Sequence, residues 1–131
     1  MFKNLIGIVL FLFAACVAPA TAVPVDIFVD GDVAQAKFAA QEIILAFREK
    51  QQSTNLQDIS ALKSINGTQI VLTDLSNKSI MDMLEKSTDV KLGTLRAEGF
   101  SILVTRKDSS FTSWIIGADP AGTMYGGLEL A

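Results

Sequence analysis

Apolar residues recur at helical spacing between residues 33 and 50, and this stretch carries the clearest periodic signal in the chain. The apolar positions are Val33, Ala36, Ala40, Ile43, Ile44 and Phe47. Their spacing predicts an amphipathic helix with one buried face. Asp32 precedes the helix as an N-cap residue, and Gln35 follows three positions later as its capping-box partner. We therefore expect a helix over residues 33–50, entered through a turn at Asp30-Gly31-Asp32.

Short runs of apolar and β-branched residues elsewhere in the chain predict strands. These runs cover residues 23–29, 69–73, 100–105 and 112–116. The polar residues 106–110 separate the last two runs, which predicts a β-hairpin. The intervening residues 51–66 are polar with scattered Leu and Ile, so we expect a loop there that contains a short helical turn near residues 56–62.

A second, shorter helix is predicted over residues 78–86, because Ile80, Met83 and Leu84 lie at i, i+3 and i+4. Its narrow apolar stripe fits packing on a sheet. The predicted elements then follow the order strand, helix, strand, helix, strand, strand, helix. This order indicates the α/β class, as a sandwich in which helices pack on a small mixed β-sheet.

The last helix has a clear start. Asp119 is a good N-cap residue and Pro120 suits the first helical position. Met124, Tyr125 and Leu128 fall at the i, i+1 and i+4 spacing of one face, which we expect to be buried. Neither a glycine cap nor a basic last turn follows within the sequence. We therefore expect a domain fragment whose final helix docks on a larger body.

The amino-terminal segment has the pattern of an export signal. Lys3 precedes an apolar run over residues 5–15, which is too short to span a bilayer. Ala20-Thr21-Ala22 has the small-x-small form of a cleavage site. We interpret residues 1–22 as a cleaved signal and residues 23–131 as a periplasmic or extracellular domain without a transmembrane segment. The alternative is a lipoprotein signal that anchors the chain through Cys16.

The amino-acid composition limits the kinds of reactive and binding site that residues 23–131 can form. The sequence has no His, and its one cysteine is Cys16. Thiolate nucleophiles, imidazole bases and the usual zinc sites are therefore excluded from this region, and we expect neither a metal nor a cofactor. Lys3 is the one charged residue before residue 23, so ten bases and fourteen acids remain and the net charge is −4. An acidic domain with mixed charges is a poor candidate for nucleic-acid binding.

Three segments near the end of the chain form a motif. They are Glu98-Gly99-Phe100, the strand end Trp-Ile-Ile-Gly at residues 114–117, and Ala-Asp-Pro-Ala-Gly-Thr-Met-Tyr-Gly-Gly-Leu at residues 118–128. The motif resembles the end of the small α/β domain that precedes the catalytic barrel in certain glycoside hydrolases, the α-glucuronidases and β-hexosaminidases. The specific part of this resemblance covers the last third of the chain. It implies a non-catalytic accessory domain whose last helix packs against the barrel of the parent enzyme.

Carboxylates are the acid/base groups left for chemistry, and glycoside hydrolysis needs two of them at a defined separation. The candidate pairs are Asp30 with Asp32 and Glu98 with Asp119. Each has a structural explanation as well, because Asp30 and Asp32 lie in a turn and helix cap, Asp119 is a cap, and Glu98 opens a strand. We assign no catalytic, cofactor-binding or metal-binding residue. The resemblance places the acid/base pair in the barrel.

Gly122, Gly126 and Gly127 lower the helix propensity of the last helix by about 1 kcal/mol each, which indicates a close approach of its backbone to another element.

Three aromatic residues, Phe100, Trp114 and Tyr125, are candidates for a sugar-stacking platform. Their positions within strands and on a helical face favour core packing instead. Two further hypotheses stay open. One is a free-standing module that binds a saccharide or a partner protein. The other is a small self-contained enzyme.

Overall fold

The computed structural model of the protein describes residues 22–131. The predicted export signal and Cys16 lie outside these residues, apart from Ala22. Within the described range the chain forms five strands, three α-helices and one 3₁₀ turn. They are β1 (Val25–Val29), α1 (Ala34–Glu49), β2 (Thr54–Asp58), the 3₁₀ turn (Ile59–Ala61), β3 (Gln69–Asp74), α2 (Lys78–Ser87), β4 (Phe100–Lys107), β5 (Ser110–Gly117) and α3 (Pro120–Leu130).

The strands form one mixed sheet in the order β2-β1-β3-β5-β4. Neighbours from β2 to β5 pair in parallel, and β4 pairs antiparallel with β5 in the predicted hairpin. The predicted α/β class, with helices packed on a small mixed sheet, is confirmed. The four predicted strands and helices α1 and α2 begin and end within about two residues of the predicted bounds, and α3 begins at Pro120 as the sequence indicates.

Both faces of the sheet are apolar, because the pairing register aligns apolar residues in rows across the strands. One row contains Val29, Leu72, Ile115 and Ile102, and α1 covers this face. The row on the other face contains Phe28, Val71, Trp114 and Leu103, and α2 and the 3₁₀ turn cover it. Helix α3 lies on the first face beside α1. The domain is therefore a three-layer sandwich around two apolar clusters.

Strand β2 was missed by the sequence analysis, which assigned its residues to a loop. Its sequence Thr-Asn-Leu-Gln-Asp lacks a hydrophobic run because β2 lies at the edge of the sheet and is mostly exposed. Polar side chains join it to β1 instead, since Asn55 and Gln57 both donate hydrogen bonds to Oδ1 of Asp26. The helical turn that we expected near residues 56–62 is the 3₁₀ turn.

The predicted capping box at the start of α1 is wrong. Val33 occupies the N-cap position, with extended backbone and no side-chain cap. Asp32 stands one position before the N-cap and makes no capping hydrogen bond; its backbone N–H donates to Oδ1 of Asp30 at 3.0 Å. The turn at residues 30–32 is therefore stabilised by Asp30, and its sequence pattern mimics a capping box.

Candidate functional site

In open α/β sheets, ligands usually bind beyond the carboxyl ends of the parallel strands. Each of the four parallel strands here has an aspartate at or soon after its carboxyl end: Asp30 after β1, Asp58 in β2, Asp74 in β3 and Asp119 after β5. We call these four residues the carboxyl-edge aspartates.

Every carboxyl-edge aspartate accepts a backbone N–H hydrogen bond from a turn or a helix start. The donors are Asp32 for Asp30 (3.0 Å), Ser60 for Asp58 (2.9 Å), Ser76 for Asp74 (2.8 Å), and Gly122 and Glu98 for Asp119 (2.9 Å each). The cavity beside β1 and β3 has a volume of about 20 Å³. That is room for a single water molecule. The carboxylates hold the backbone at this edge, and the cavity beside Asp30 and Asp74 is too small for a sugar substrate.

At Asp58 and Asp119 these hydrogen bonds favour the ionised form of the carboxylate. The side-chain hydrogen bond from Ser60 lowers the pKa of Asp58 below its ordinary value. Hydrogen bonds from the backbone N–H groups of Ser60 and Gly31 lower this pKa further. The backbone N–H of Glu98, followed by that of Gly122, lowers the pKa of Asp119 in the same way. A general acid for glycoside cleavage needs a raised pKa, and both shifts run in the opposite direction.

The candidate pair Glu98 and Asp119 does come together, although through the backbone of Glu98. The N–H of Glu98 donates to Oδ2 of Asp119, and Glu98 lies in a turn with φ of 60°. The prediction that Glu98 opens a strand is therefore wrong, because β4 begins at Phe100. Asp119 is confirmed as the N-cap residue of α3, with Oδ1 accepting from the N–H of Gly122.

The separated parts of the sequence motif meet at the start of α3. The N–H of Ala118 donates to the carbonyl of Gly99 at 2.8 Å. A Cβ at Gly122 would overlap the carbonyl oxygen of Gly99, so the helix start lies directly against the turn that enters β4. Asp119 joins the same two segments. The motif thus encodes a close junction between the hairpin and the last helix.

Helix α3 approaches the sheet and α1 through its glycines, as the sequence predicts. A Cβ at Gly126 would lie 2.8 Å from Ile115, and a Cβ at Gly127 would lie 2.5 Å from the Cβ of Ala39 in α1. Thr123 is buried on the same face, and its Oγ1 donates to the carbonyl of Thr73 at 2.8 Å. Sequence analysis gave Thr123 no role, because a single threonine in a helix carries no signal of its partner.

The predicted buried face of α3 is wrong for two of its three members. Tyr125 is 44% exposed and Leu128 is 39% exposed, whereas Met124 packs partly against the core. Glycine and threonine form the buried face, because the helix lies too close to the sheet for larger side chains. Apolar Tyr125 and Leu128 therefore face outward.

The neighbouring helix α1 also carries exposed apolar residues. Phe38 is 51% exposed and Leu45 is 46% exposed, and their seven-residue spacing places both on the outer side of the helix. Because α1 and α3 pack side by side on one face of the sheet, we define the α1–α3 outer face as Phe38, Leu45, Tyr125 and Leu128. The pattern of α1 contained this signal, since residues 38 and 45 lie opposite its buried stripe.

Of the three candidate aromatic residues, Trp114 is confirmed as a core residue. It is fully buried, and its indole N–H donates to Oγ1 of Thr105 at 3.1 Å. Phe100 and Tyr125 are 36% and 44% exposed, so the expectation of core packing is wrong for Tyr125 and only partly met for Phe100. A flat platform of all three rings is excluded by the burial of Trp114.

Comparisons with known proteins add no assignment: no family model matches the chain, and no curated protein matches it. Among residues 22–131, no helix is both long and apolar enough to cross a membrane. Over the same residues, no group of three or more acidic side chains converges as a metal site would require.

Proposed function

We propose that residues 23–131 form an exported accessory domain of a carbohydrate-active hydrolase, and that the α1–α3 outer face packs against the catalytic domain of that enzyme. The observation that carries the proposal is the outward orientation of Tyr125 and Leu128 on a helix whose other side is sealed against the sheet. Partly exposed apolar side chains on two adjacent helices are typical of a surface that another body covers.

The resemblance of residues 98–128 to glycoside hydrolase accessory domains supports the choice of partner. The residues that carry it contact one another at the junction of Gly99, Asp119 and Gly122. In the proposed enzyme the domain contributes no acid/base group, and a pair of carboxylates in the barrel hydrolyses an O-glycosidic bond. An α-glucuronidase acting in plant polysaccharide breakdown and a β-hexosaminidase are the two candidate parents.

The second candidate function is a free-standing module that binds a saccharide. The partial exposure of Phe100 and Tyr125 favours it, because aromatic rings at a surface can stack on the apolar faces of sugars. In this case the isolated domain should bind polysaccharide, and Tyr125→Ala should abolish binding without loss of folding. In the accessory-domain proposal, the isolated domain shows no such binding.

Recovery of the native protein tests the accessory-domain proposal. An antibody raised against residues 23–131 should capture a polypeptide much larger than this chain, with Val23 at its amino terminus after export. The captured protein should hydrolyse aryl glycosides. Capture of a polypeptide of only this size, without hydrolytic activity, would reject the accessory-domain proposal and favour the free-standing module.

A further inference from the structure

Three asparagines lie in the described part of the chain, and the fold holds each of them differently. Asn55 is in the edge strand β2, where its Nδ2 donates to Oδ1 of Asp26 at 3.1 Å. Asn77 caps α2, and its Oδ1 accepts from the N–H of Ile80 at 3.3 Å. Asn66 is exposed in the loop between the 3₁₀ turn and β3. Of the three, it is therefore the one that lies outside every helix, helix cap and strand.

Asn66 is followed by Gly67, and both residues are exposed. Gly67 has φ of 79°, which glycine adopts without strain, and a Cβ at this position would meet no atom within 4 Å. Within the described residues, the N–H of Gly67 donates to no acceptor. The Nδ2 of Asn66 donates to Oγ of Ser64 at 2.6 Å, in a hydrogen bond between exposed groups. The backbone nitrogen of Gly67 and the side-chain amide of Asn66 are therefore both accessible for a reaction with each other.

We infer that Asn66 is a site of spontaneous deamidation. The backbone nitrogen of Gly67 attacks Cγ of Asn66 and gives up its proton, and the side-chain nitrogen leaves as ammonia, which closes a five-membered succinimide ring. Water then adds to either carbonyl carbon of the ring and opens it. One opening gives a normal backbone with an aspartyl side chain, and the other gives an isoaspartyl linkage through the former side chain. The net reaction consumes one water and releases one ammonia, without oxidant or enzyme.

The other two asparagines do not meet these requirements. Asn55 is followed by Leu56 and Asn77 by Lys78, so a side chain crowds the attacking nitrogen at both positions. At the start of α2 the reacting groups are also held in hydrogen bonds, because the N–H of Lys78 donates to the carbonyl of Ser76 at 3.0 Å and the side chain of Asn77 caps the helix. The selectivity for Asn66 therefore has two sources, the small residue that follows it and the unconstrained loop.

The reaction changes the charge of a cavity on the α2 side of the sheet. Asn66 borders this cavity, which has a volume of about 660 Å³. Its charged lining residues are Asp82, Lys86, Arg106 and Lys107. One acid and three bases give the lining a net charge of +2, and a new carboxylate at position 66 lowers it to +1. The inference does not depend on the accessory-domain proposal, because it concerns a loop on the side of the sheet opposite the α1–α3 outer face.

Storage of the purified protein in a mildly alkaline buffer tests the inference. Peptide mass spectrometry should find a gain of about 1 Da at Asn66, from the replacement of NH₂ by OH. Isoaspartyl linkages, which direct hydrolysis of the side chain cannot produce, should accompany this gain. Asn55 and Asn77 in the same sample should react more than about tenfold more slowly. Asn66→Gln, whose longer side chain cannot close the five-membered ring, should abolish the reaction in this loop, and Asn77→Gln is the matched control that should leave it unchanged.

Lys78→Gly separates the effect of the fold from that of the sequence, because it creates a second Asn-Gly pair at the start of α2. In the folded variant the cap at Asn77 has to open first, so Asn77 should react about tenfold more slowly than Asn66. In urea the two should react at similar rates. No mass gain at Asn66, a gain without isoaspartyl linkages, or equal rates at both sites in the folded variant would each overturn the inference. Circular dichroism establishes that the variant is folded, and the result with the unmodified sequence decides if it is not.

Discussion

Thr123 joins the last helix to the centre of the sheet through one hydrogen bond, from its Oγ1 to the carbonyl of Thr73 at 2.8 Å. The side chain is 1% exposed, so water cannot replace the donor. We expect Thr123→Val, which keeps the shape and removes the hydroxyl, to lower the free energy of unfolding by about 1–2 kcal/mol. Urea unfolding measures the change. Thr68→Val at an exposed position is the control and should change stability by less than about 0.5 kcal/mol. Equal stability of Thr123→Val and the wild type would contradict the role of this bond.

Gly127 is a second residue with a clear structural role, because α3 passes so close to α1 at this position that a side chain would overlap Ala39. Alanine would gain about 1 kcal/mol of helix propensity there. Its Cβ would lie 2.5 Å from the Cβ of Ala39, and overpacking of this kind costs about 1–3 kcal/mol. We expect the contact to dominate, so that Gly127→Ala lowers the melting temperature. Gly93→Ala meets no atom within 4 Å and should be neutral. A higher melting temperature for Gly127→Ala would show that α3 can move away from α1.

At the scale of elements, the helices and strands that have a pattern of apolar residues in their own sequence could be predicted, and features that depend on other parts of the fold could not. Helices α1 and α2 were found because burial on one side gives them periodic apolar residues, and strand β3 was found because burial on both faces of the sheet gives it a continuous apolar run. Strand β2 was missed because it is held by polar side chains at an exposed edge. The burial of α3 was misjudged because its closest contacts are made by glycines, which carry no hydrophobic signal.

In the candidate site, too, some features could be predicted from the sequence and others could not. The close approach of the α3 glycines and the cap at Asp119 follow from residue type and position alone. The contact of the Glu98-Gly99 turn with the start of α3 could not be predicted, since it joins segments about twenty residues apart through backbone atoms. The outward direction of Tyr125 depends on which side of the helix meets the sheet, and only the packing of the whole layer decides that.

The junction between the hairpin and α3 should be sensitive to acid. Hydrogen bonds from the N–H groups of Glu98 and Gly122 lower the pKa of Asp119 in the folded protein below its value of 3.8 in the absence of these contacts. The resulting stabilisation is present above the unfolded pKa and is lost as the pH falls through the folded pKa. Asp119→Asn removes the titrating group. We therefore expect the melting temperature of the wild type to exceed that of Asp119→Asn near neutral pH.

This difference should begin to shrink as the pH falls below the unfolded pKa, and it should be lost once the pH is below the lowered folded pKa, where the carboxyl group is protonated in both states. Thermal melts of both proteins over a pH series provide the measurement. Asp58, whose pKa is also lowered, is present in both proteins and cancels from the comparison. A difference that stays constant with pH would contradict an ionised Asp119 at this junction.

At the scale of the whole molecule, one helical layer exposes several large apolar side chains to solvent. The α1–α3 outer face carries Phe38, Leu45, Tyr125 and Leu128, each at least 39% exposed. Area of this kind costs about 25 cal/mol per Å² while it stays in contact with water. We therefore expect the isolated domain to bind hydrophobic dyes and to aggregate on concentration. The double substitution Tyr125→Ser and Leu128→Gln should reduce both properties.

The same double substitution should hardly change the melting temperature of the isolated domain, because both side chains are partly solvated in its folded state. Val90→Ser, at a residue that is 43% exposed outside this face, serves as the control and should leave dye binding largely unchanged. In the complete enzyme that we propose, the double substitution should instead lower the melting temperature, since the two side chains are then buried against the catalytic domain. An equal reduction of dye binding by Val90→Ser would mean that apolar exposure is spread over the surface and that no single face is prepared for docking.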